Sequence, residues 1–233
     1  MRTLAIGDVH GCAAALLNLL KFVDPGPKDT IVTLGDYIDR GPDSKGVLDL
    51  MIRMNLSDRL VPLRGNHEMM MLMGRESRDE RRMWLSCGGA EALESYGRPG
   101  RAGRLEDIPE HHWHFVRKVC SDYAETDTHV FVHANLQPNT PLTEMSQTWL
   151  HWEFLTPSKH FPHFSGKTMI CGHSEQRSGI PLVLHHAVCI DTWCYGGGWL
   201  TCLDVDSGEY WQADIDGRTR RGQLPPYEGA VEE

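Results

Sequence analysis

Short polar motifs follow apolar runs in a fixed order along this chain, and their placement limits the folds it can adopt. The apolar runs at 3–7, 30–34 and 60–63 are typical of buried strands, and the stretches at 13–23 and 44–55 between them indicate helices. This β-α-β-α-β order predicts a parallel sheet with right-handed crossovers. In such a sheet the loops at the carboxyl ends of the strands form the binding crevice.

A motif stands at each of these three strand ends, and two more follow later. The five motifs read GDVHG at 7–11, GDYIDRG at 35–41, GNHE at 65–68, VHA at 132–134 and CGH at 171–173. Any one of them could simply cap a helix or form a turn. Five in this order indicate that carboxylates, imidazoles and one amide converge on a single point.

The remainder of the chain divides into a helical segment and a second group of strands. Residues from about 69 to 125 are rich in Met, Arg and Glu and predict a helical cap inserted beside the sheet. Strand signals return at residue 129 and continue to residue 213. We therefore expect one domain over 1–217, with the cap at about 69–125, followed by a loose polar tail over 218–233.

Composition narrows the environment and the partners. A formal net charge of -9 argues against nonspecific binding to nucleic acid or anionic membranes, and disfavours a polyanionic substrate. Seven cysteines without a CxxC pair favour free thiols in a reducing compartment. The N-terminus has no signal-peptide shape, and no apolar run is long enough to span a bilayer. We predict a cytoplasmic protein with no nucleic-acid or membrane partner, and the sequence leaves its oligomeric state open.

The motifs supply a mixed set of oxygen and nitrogen ligands. Such a set suits Mn²⁺, Fe or Zn²⁺ and not metals that prefer thiolates. Two divalent ions, with Mn²⁺ expected, would share one carboxylate, and a pair about 3.5–4 Å apart can share a hydroxide for in-line attack at phosphorus. The candidate metal ligands are Asp8, His10 and Asp36 for one ion, and Asp36, Asn66, His133 and His173 for the other.

Over roughly residues 3–203 the chain resembles the phosphoprotein phosphatase branch of the calcineurin-like metallophosphoesterases, and it is similar to compact bacterial and phage members. The resemblance rests on the unbroken motifs GDxHG, GDxxDRG and GNHE. It implies an α/β fold in which two β-sheets form a sandwich flanked by helices, in four layers α/β/β/α. It also implies a dinuclear metal centre and phosphomonoester hydrolysis without a covalent intermediate.

The resemblance also implies roles for individual side chains. His67 would be the general acid, Asp39 would orient it and keep it charged, and Arg40 would bind the phosphate. Asn66 and Tyr195 would contact the substrate as well. Alternatively, His67 could be a metal ligand or a core hydrogen-bonding residue, and Arg40 could form a surface ion pair.

One part of the family's pattern is missing. A second phosphate-binding arginine usually follows a tryptophan between the last two metal histidines, but no arginine occurs from residue 134 to 172. Either another cation replaces it or the second phosphate contact is absent, which would weaken the binding of a dianion. The candidate replacements are His151, Lys159, His160 and Arg177.

We therefore expect a metal-dependent phosphatase acting on phosphoserine and phosphothreonine proteins, or broadly on small phosphomonoesters. The alternative is a symmetrical dinucleoside polyphosphate hydrolase, which the same motifs fit. A remote alternative is a cysteine-dependent phosphatase, since Cys171 and Arg177 satisfy the C(x)₅R spacing. A third alternative, a binding module without activity, is disfavoured because every key side chain is present.

Overall fold

The computed structural model describes residues 1–227 and contains twelve strands. The four-residue β1, β2 and β5 and the five- and six-residue strands near the C-terminus are the most regular. The strands are β1 (Thr3–Ile6), β2 (Thr30–Thr33), β3 (Leu60–Pro62), β4 (Tyr123–Glu125), β5 (His129–Val132), β6 (Thr168–Cys171), β7 (Leu182–Leu184), β8 (Ala187–Cys189), β9 (Asp191–Thr192), β10 (Trp199–Asp204), β11 (Glu209–Ala213) and β12 (Thr219–Gln223).

These strands form two sheets of mixed direction. The first sheet has the order β12-β11-β10-β1-β2-β3, with β9 paired to β10. Within it β1, β2 and β3 are parallel, as the alternating sequence pattern predicts, and β10 runs antiparallel to β1. The second sheet has the order β4-β5-β6-β8-β7, in which β5, β6 and β8 are parallel.

Helices cover the outer sides of both sheets. Most of them belong to the first half of the chain. They are α1 (Ala13–Val23), α2 (Ser44–Asn55), α3 (Asn66–Glu76), α4 (Arg78–Trp84), α5 (Ala90–Ser95), α6 (Glu110–His114) and α7 (Gln147–His151). A kinked turn over Leu85–Gly89, in which Gly88 has a φ of 118°, follows α4, and a π-helical turn over Phe115–Val119 follows α6. No helix within residues 1–227 is both long enough and apolar enough to cross a bilayer.

The core between the sheets joins them into a sandwich. Side chains from both sheets meet there, including Leu34 and Leu63 from one and Phe131, Ile170 and Val188 from the other. A second apolar cluster packs α1, α2 and the cap helices on the first sheet, and a third packs α7 on the second. Two sheets flanked by helices confirm the predicted α/β sandwich.

The helical region begins slightly earlier than the predicted cap. Helix α3 starts at Asn66, because Glu68 reaches back to accept a hydrogen bond from the backbone N–H of Gly65 at 2.9 Å. The GNHE motif therefore forms the first turn of a helix, and its amide and imidazole project from that turn. The division of the chain into a domain and an inserted cap remains a prediction.

The structure differs from the expected loose tail. Residues 219–223 form β12, which pairs antiparallel with β11, and Leu224 and Tyr227 are buried after it. Arg220 helps to fix the strand by donating to the Gly179 carbonyl at 2.6 Å. Strand β12 is polar because it lies at the edge of the sheet, and this hid it from the sequence pattern. Residues 228–233 of the predicted tail lie outside the described residues.

Candidate active site

The predicted site residues come together where strands of both sheets end. Asp8, Asp36 and Asn66 follow β1, β2 and β3, and His133 and His173 follow β5 and β6. A cavity of about 570 Å³ opens beside them. Seven predicted residues line it: Asp8, His10, Asp36, Arg40, Asn66, His67 and His173.

The backbone in this region adopts a conformation that non-glycine residues rarely use. Five site residues have positive φ: His10 at 43°, Asp36 at 50°, Asp39 at 75°, Arg40 at 67° and His173 at 60°. Left-handed backbone at non-glycine residues costs energy and persists where the surroundings enforce it, as at functional sites. The turns point the side chains back over the strand ends.

Two glycines let carboxylates lie directly against the main chain. A Cβ atom built on Gly172 would be 2.0 Å from Oδ1 of Asp8, and one built on Gly65 would be 2.1 Å from Oδ1 of Asp36. No side chain fits at either position. The glycines of the CGH and GNHE motifs therefore set the positions of two candidate metal ligands.

Asp36 lies at the centre of the site. Its Oδ2 is 3.4 Å from Nε2 of His10 and 4.0 Å from Nε2 of His67, and its Oδ1 is 3.5 Å from Nε2 of His133. Burial acts to raise the pKa of Asp36, but the surrounding imidazoles, His133 foremost, lower it below its ordinary value. Asp36 belongs to two separate groups of potential metal ligands, one with His10 and His67 and one with His133 and His173.

Three imidazoles are each oriented by a hydrogen bond between one ring nitrogen and a backbone carbonyl. Nδ1 of His10 donates to the carbonyl of Ile38 at 3.0 Å, and Nδ1 of His133 donates to the carbonyl of Leu34 at 2.9 Å. Nε2 of His173 lies 3.2 Å from the carbonyl of Trp152. Such hydrogen bonds fix the tautomer and direct the other nitrogen toward a metal.

Burial also keeps these rings neutral. It lowers the pKa of His10 well below its ordinary value, that of His133 to about 3, and that of His173 to a lesser degree. A histidine must be neutral to bind a metal ion. The three imidazoles therefore have the protonation state that a metal centre requires.

The buried carboxylate of Asp8 is not balanced by positive charge from the protein groups around it. Its Oδ1 is buried without a hydrogen-bond partner among the described residues, although Oδ2 accepts from the backbone N–H of His173 at 3.0 Å. Burial raises its pKa well above the ordinary value, and the nearby Asp191 and Asp36 raise it further. Divalent cations would resolve this conflict, so the residues present fit a pair of metal ions.

His67 and Asp39 form a buried pair at the edge of this cluster. Nδ1 of His67 is 2.6 Å from Oδ2 of Asp39, and the indole Nε1 of Trp84 donates to the same oxygen at 2.9 Å. Burial acts to lower the pKa of His67, but Asp36 and Asp39 outweigh it and raise that pKa. Burial raises the pKa of Asp39 to about 6, although its hydrogen bond to His67 opposes the rise.

Arg40 lines another side of the cavity, and Tyr195 packs against its guanidinium. Nη1 of Arg40 donates to Nε2 of His10 at 3.0 Å and to Oε1 of Glu175 at 3.2 Å. The guanidinium carbon lies 4.7 Å from the centre of the Tyr195 ring, and the Tyr195 hydroxyl donates to Oε1 of Glu175. The predicted substrate-binding pair is thus joined through a glutamate that the sequence did not single out.

The candidates for the missing second arginine are not brought into the site. His151 is fully buried, with Nδ1 3.0 Å from the carbonyl of Arg64, and Lys159 and His160 line a different cavity. Arg177 is largely exposed, donates to Oε2 of Glu175 at 3.2 Å and stacks over Trp193. Arg40 is the only arginine or lysine among the described residues that line the active-site cavity.

The geometry also argues against the cysteine-dependent reaction. Cys171 is fully buried in β6 and does not line the cavity. Its hydrogen bond with Cys189, together with burial, raises the pKa of its thiol well above the ordinary value. A nucleophilic cysteine needs a lowered pKa and access to the substrate.

Three residues that organise the site received no role from the sequence. Glu68 accepts hydrogen bonds from the backbone N–H groups of Asp36 at 2.8 Å and Tyr37 at 2.9 Å, which fixes the second motif against the third. The GNHE motif contained this signal. Trp84 and Glu175 carried no such signal, because their contacts depend on how the cap and the loop after β6 fold.

Sequence comparison identifies two kinds of relative. The chain is 41% identical to serine/threonine-protein phosphatase 1 of Salmonella typhimurium over 85 residues, which are 36% of this chain and 37% of that protein. It is 29% identical to a symmetrical bis(5'-nucleosyl)-tetraphosphatase of Edwardsiella ictaluri over 221 residues, which are 90% of this chain and 72% of that protein. The match thus spans little more than a third of the phosphatase's length.

Structure comparison supports the same fold. A solved structure described as that of a candidate diadenosine tetraphosphatase has a TM-score of 0.65 and 20% identity, covering 95% of this chain and 93% of the other. The sequence profile for calcineurin-like phosphoesterases matches residues 1–185. With its two-sheet sandwich and its clustered metal-ligand side chains, the chain belongs to the calcineurin-like phosphoesterase family of metal-dependent phosphoester hydrolases.

Proposed function

We propose that this protein is a phosphatase that hydrolyses phosphomonoesters, with phosphoserine and phosphothreonine in proteins as its substrate class. The observation that carries the proposal is the His67–Asp39 pair, 2.6 Å apart, beside the Asp36 cluster in an open cavity. A charged imidazole next to metal-ligand groups can protonate a leaving oxygen. The 41% identity to a serine/threonine-protein phosphatase over 85 residues supports this substrate class.

The proposed metal ligands divide as the sequence suggested. Asp8, His10 and Asp36 would hold one ion, and Asp36, Asn66, His133 and His173 the other, with Mn²⁺ proposed and Fe or Zn²⁺ as alternatives. When bound, two such cations supply a water nucleophile at neutral pH and neutralise charge on the phosphoryl oxygens. Nε2 of His133 lies 2.9 Å from Oδ1 of Asn66, so these two groups already face one another.

His67 would act as the general acid. Asp39 accepts from its Nδ1, which leaves the proton on Nε2 facing the cluster, and the raised pKa favours the charged ring. A charged imidazole is a proton donor and not a metal ligand, which favours the acid role over the alternative of a further ligand. Asp39 would orient the ring and stabilise its charge.

Arg40 would bind phosphate oxygens, because its guanidinium is the only such group in the cavity lining of residues 1–227. Asn66 and Tyr195 would contact the substrate beside it. The hydroxyl of Tyr195 is engaged by Glu175, so its contact would be made through the ring edge or after a shift of that hydrogen bond.

Hydrolysis of dinucleoside polyphosphates is the second candidate. The alignment with the tetraphosphatase relative covers 90% of this chain, whereas that with the protein phosphatase covers 36%. A panel that compares phosphopeptides with diadenosine tetraphosphate after Mn²⁺ loading separates the two activities.

A cytoplasmic setting is also proposed, and seven free cysteines support it.

The proposal is tested by replacing the acid. His67→Asn should lower kcat for a phosphoserine peptide by about 10²–10⁴-fold, because the serine oxygen is a poor leaving group that needs the proton from the acid. Metal content, measured by mass spectrometry, should stay near the wild-type value. The exposed His114→Asn is the matched control and should change neither quantity.

Two outcomes contradict the assignments. Unchanged turnover in His67→Asn rules out the acid role, and loss of metal with loss of turnover makes His67 a ligand. Cys171→Ser should retain turnover, and its inactivation with metal content intact would revive the cysteine-dependent reaction.

A further inference from the structure

Glu175 is the one carboxylate in the active-site cavity that the proposed chemistry leaves unused. The carboxylates lining the cavity are Asp8, Asp36 and Glu175, and the first two are proposed metal ligands. The Glu175 side chain is 20% exposed, so it is partly shielded from water. Its charge therefore acts on whatever anion enters the cavity.

The oxygens of Glu175 engage the residues expected to bind phosphate. Oε1 accepts from Nη1 of Arg40 at 3.2 Å and from the hydroxyl of Tyr195. The same Nη1 of Arg40 donates to Nε2 of His10 at 3.0 Å. Glu175 thus shares the guanidinium nitrogen that faces the proposed metal ligands, and it limits how much positive charge Arg40 offers.

The other oxygen of Glu175 holds Arg177 away from the cavity. Nη2 of Arg177 donates to Oε2 of Glu175 at 3.2 Å, and the guanidinium carbon lies 4.9 Å from the centre of the Trp193 ring. The Arg177 side chain is 70% exposed and does not line the cavity. Arg177, a cation that could bind a second phosphate, is therefore paired with the carboxylate that would repel that phosphate.

We propose that Glu175 determines specificity by selecting substrates that carry a single phosphate group and disfavouring chains of phosphates. One phosphate can be neutralised by Arg40 together with the metal ions the site is built for. A second phosphate bonded to the first would meet the Glu175 carboxylate beside Arg40, and like charges in a partly buried site repel strongly. The inference deepens the proposed phosphatase function and rests on it.

Glu175→Gln tests this by removing the charge and keeping the shape. With Mn²⁺-loaded enzyme, kcat/KM is measured for p-nitrophenyl phosphate and for diadenosine tetraphosphate. The kcat/KM for diadenosine tetraphosphate, divided by that for p-nitrophenyl phosphate, should rise about tenfold or more, as expected when a like charge is removed. Adding Arg177→Gln to this variant should reverse part of the gain, because the released arginine would assist the second phosphate.

Binding gives a readout that does not depend on turnover. Isothermal titration calorimetry with inorganic phosphate and with tripolyphosphate is performed on the same metal-loaded proteins. Kd for tripolyphosphate should fall about tenfold in Glu175→Gln, and Kd for phosphate should change by less than about threefold. Glu175→Asp keeps the charge and should stay near the wild-type ratio.

Glu153→Gln is the matched control. Glu153 is exposed and lines the neighbouring cavity that shares Phe154 with the active-site cavity, and within residues 1–227 it forms no hydrogen bond or ion pair with Arg40. Removing its charge should leave unchanged the ratio of the two kcat/KM values and the ratio of the two Kd values. An equal shift in this variant would mean that net charge alone sets the preference, and would overturn the role of Glu175.

The remaining outcomes separate this inference from the proposed function. If Glu175→Gln lowers kcat/KM equally for both substrates and weakens the binding of both anions equally, Glu175 only supports Arg40. If the ratio of the kcat/KM values and the ratio of the Kd values do not change, Glu175 has no role in specificity. Either result overturns the proposal. If the wild-type protein turns over neither substrate but Glu175→Gln still binds tripolyphosphate more tightly than wild type does, the phosphatase proposal fails while the selection against phosphate chains stands.

Discussion

Left-handed backbone at single residues shapes this active site more than any regular element does. His10, Asp36 and His173 have φ values of 43°, 50° and 60°, and each carries a proposed metal ligand. Non-glycine residues take this conformation at a cost, so the surrounding hydrogen bonds must hold them. The glycines beside them supply the space in which the carboxylates sit.

Gly172→Ala is expected to disturb the metal site without touching a ligand side chain. The new Cβ would lie 2.0 Å from Oδ1 of Asp8 and would displace that carboxylate. We expect at least a tenfold loss of metal affinity, measured by titration with Mn²⁺. Gly26→Ala is the control, since its Cβ would meet Oδ2 of Asp29 at an ordinary 3.6 Å. Equal affinity in the two variants would contradict the prediction.

Trp84→Phe is expected to shift the acidic limb of the pH–rate profile. The indole N–H stabilises the charged form of Asp39, whose pKa burial has already raised to about 6. Without that donor the pKa of Asp39 rises further, so the carboxylate is protonated at a higher pH and His67 loses its charged partner. The acidic midpoint of kcat should move up by about one pH unit.

The control for that shift is Trp113→Phe, which removes a similar volume from the cap. Trp113 is buried and contacts Arg75. Its replacement should lower stability and leave the acidic midpoint in place. A shift toward lower pH in Trp84→Phe would reverse the inferred sign.

The sequence revealed the ligand types and their order, because a metal centre needs particular donor atoms at the ends of strands. His10, Asp36 and His133 could be named for this reason. The contacts of Trp84 and Glu175 could not be named, since each reaches the site from a segment whose path depends on tertiary packing. Local patterns contain no information about such approaches.

At the scale of elements, short-range order explains what was predicted. The alternation of strands and helices over β1 to β3 gave a parallel sheet, because apolar runs and helix breakers are local signals. The kinked turn Leu85–Gly89 was not predicted, and it matters because the carbonyl of Gly88 accepts a hydrogen bond from the backbone N–H of Arg40 at 3.1 Å. Through this turn the cap supports the loop that carries Arg40.

The start of the first sheet depends on one ion pair. The guanidinium of Arg2 donates to Oδ2 of Asp29 at 2.6 Å, which joins the residues preceding β1 and β2. Burial acts to raise the pKa of Asp29, but hydrogen bonds from Arg2 and Gly26 lower it to about 2. The charged carboxylate is therefore a source of stability at neutral pH.

Asp29→Asn should lower the free energy of unfolding by about 2 kcal/mol at pH 7, as measured by urea denaturation. Because the folded pKa lies below the unfolded one, this contribution is complete above about pH 4 and disappears as the pH falls toward 2. The difference in the free energy of unfolding between Asp29→Asn and wild type should therefore be smaller at pH 3 than at pH 7. Replacing the exposed Asp127 in Asp127→Asn should leave the free energy of unfolding at the wild-type value at either pH.

At the scale of the whole molecule, the sandwich brings together ligands that no single sheet could supply. Asp8 and Asp36 come from the first sheet and His133 and His173 from the second, and their relative positions depend on the core between them. Family membership could be inferred from the sequence, because the five motifs occur in the order that this family uses.

Phe131→Ala should test how strongly that core joins the two halves. Phe131 is fully buried in β5 between the sheets, so its truncation should lower the free energy of unfolding by about 3–5 kcal/mol. Phe164 is 61% exposed, and Phe164→Ala should change the free energy of unfolding by less than about 0.5 kcal/mol. Urea denaturation measures both, and equal effects would show that the sheets do not rely on this core.

The division of ligands between the two sheets has a consequence for biosynthesis. Proteins emerge from the ribosome N-terminus first, so Asp8, His10 and Asp36 leave the tunnel well before His173 is translated. Until then the nascent chain offers only part of the proposed coordination set. The proposed metal centre would therefore be completed late, once the second sheet has docked.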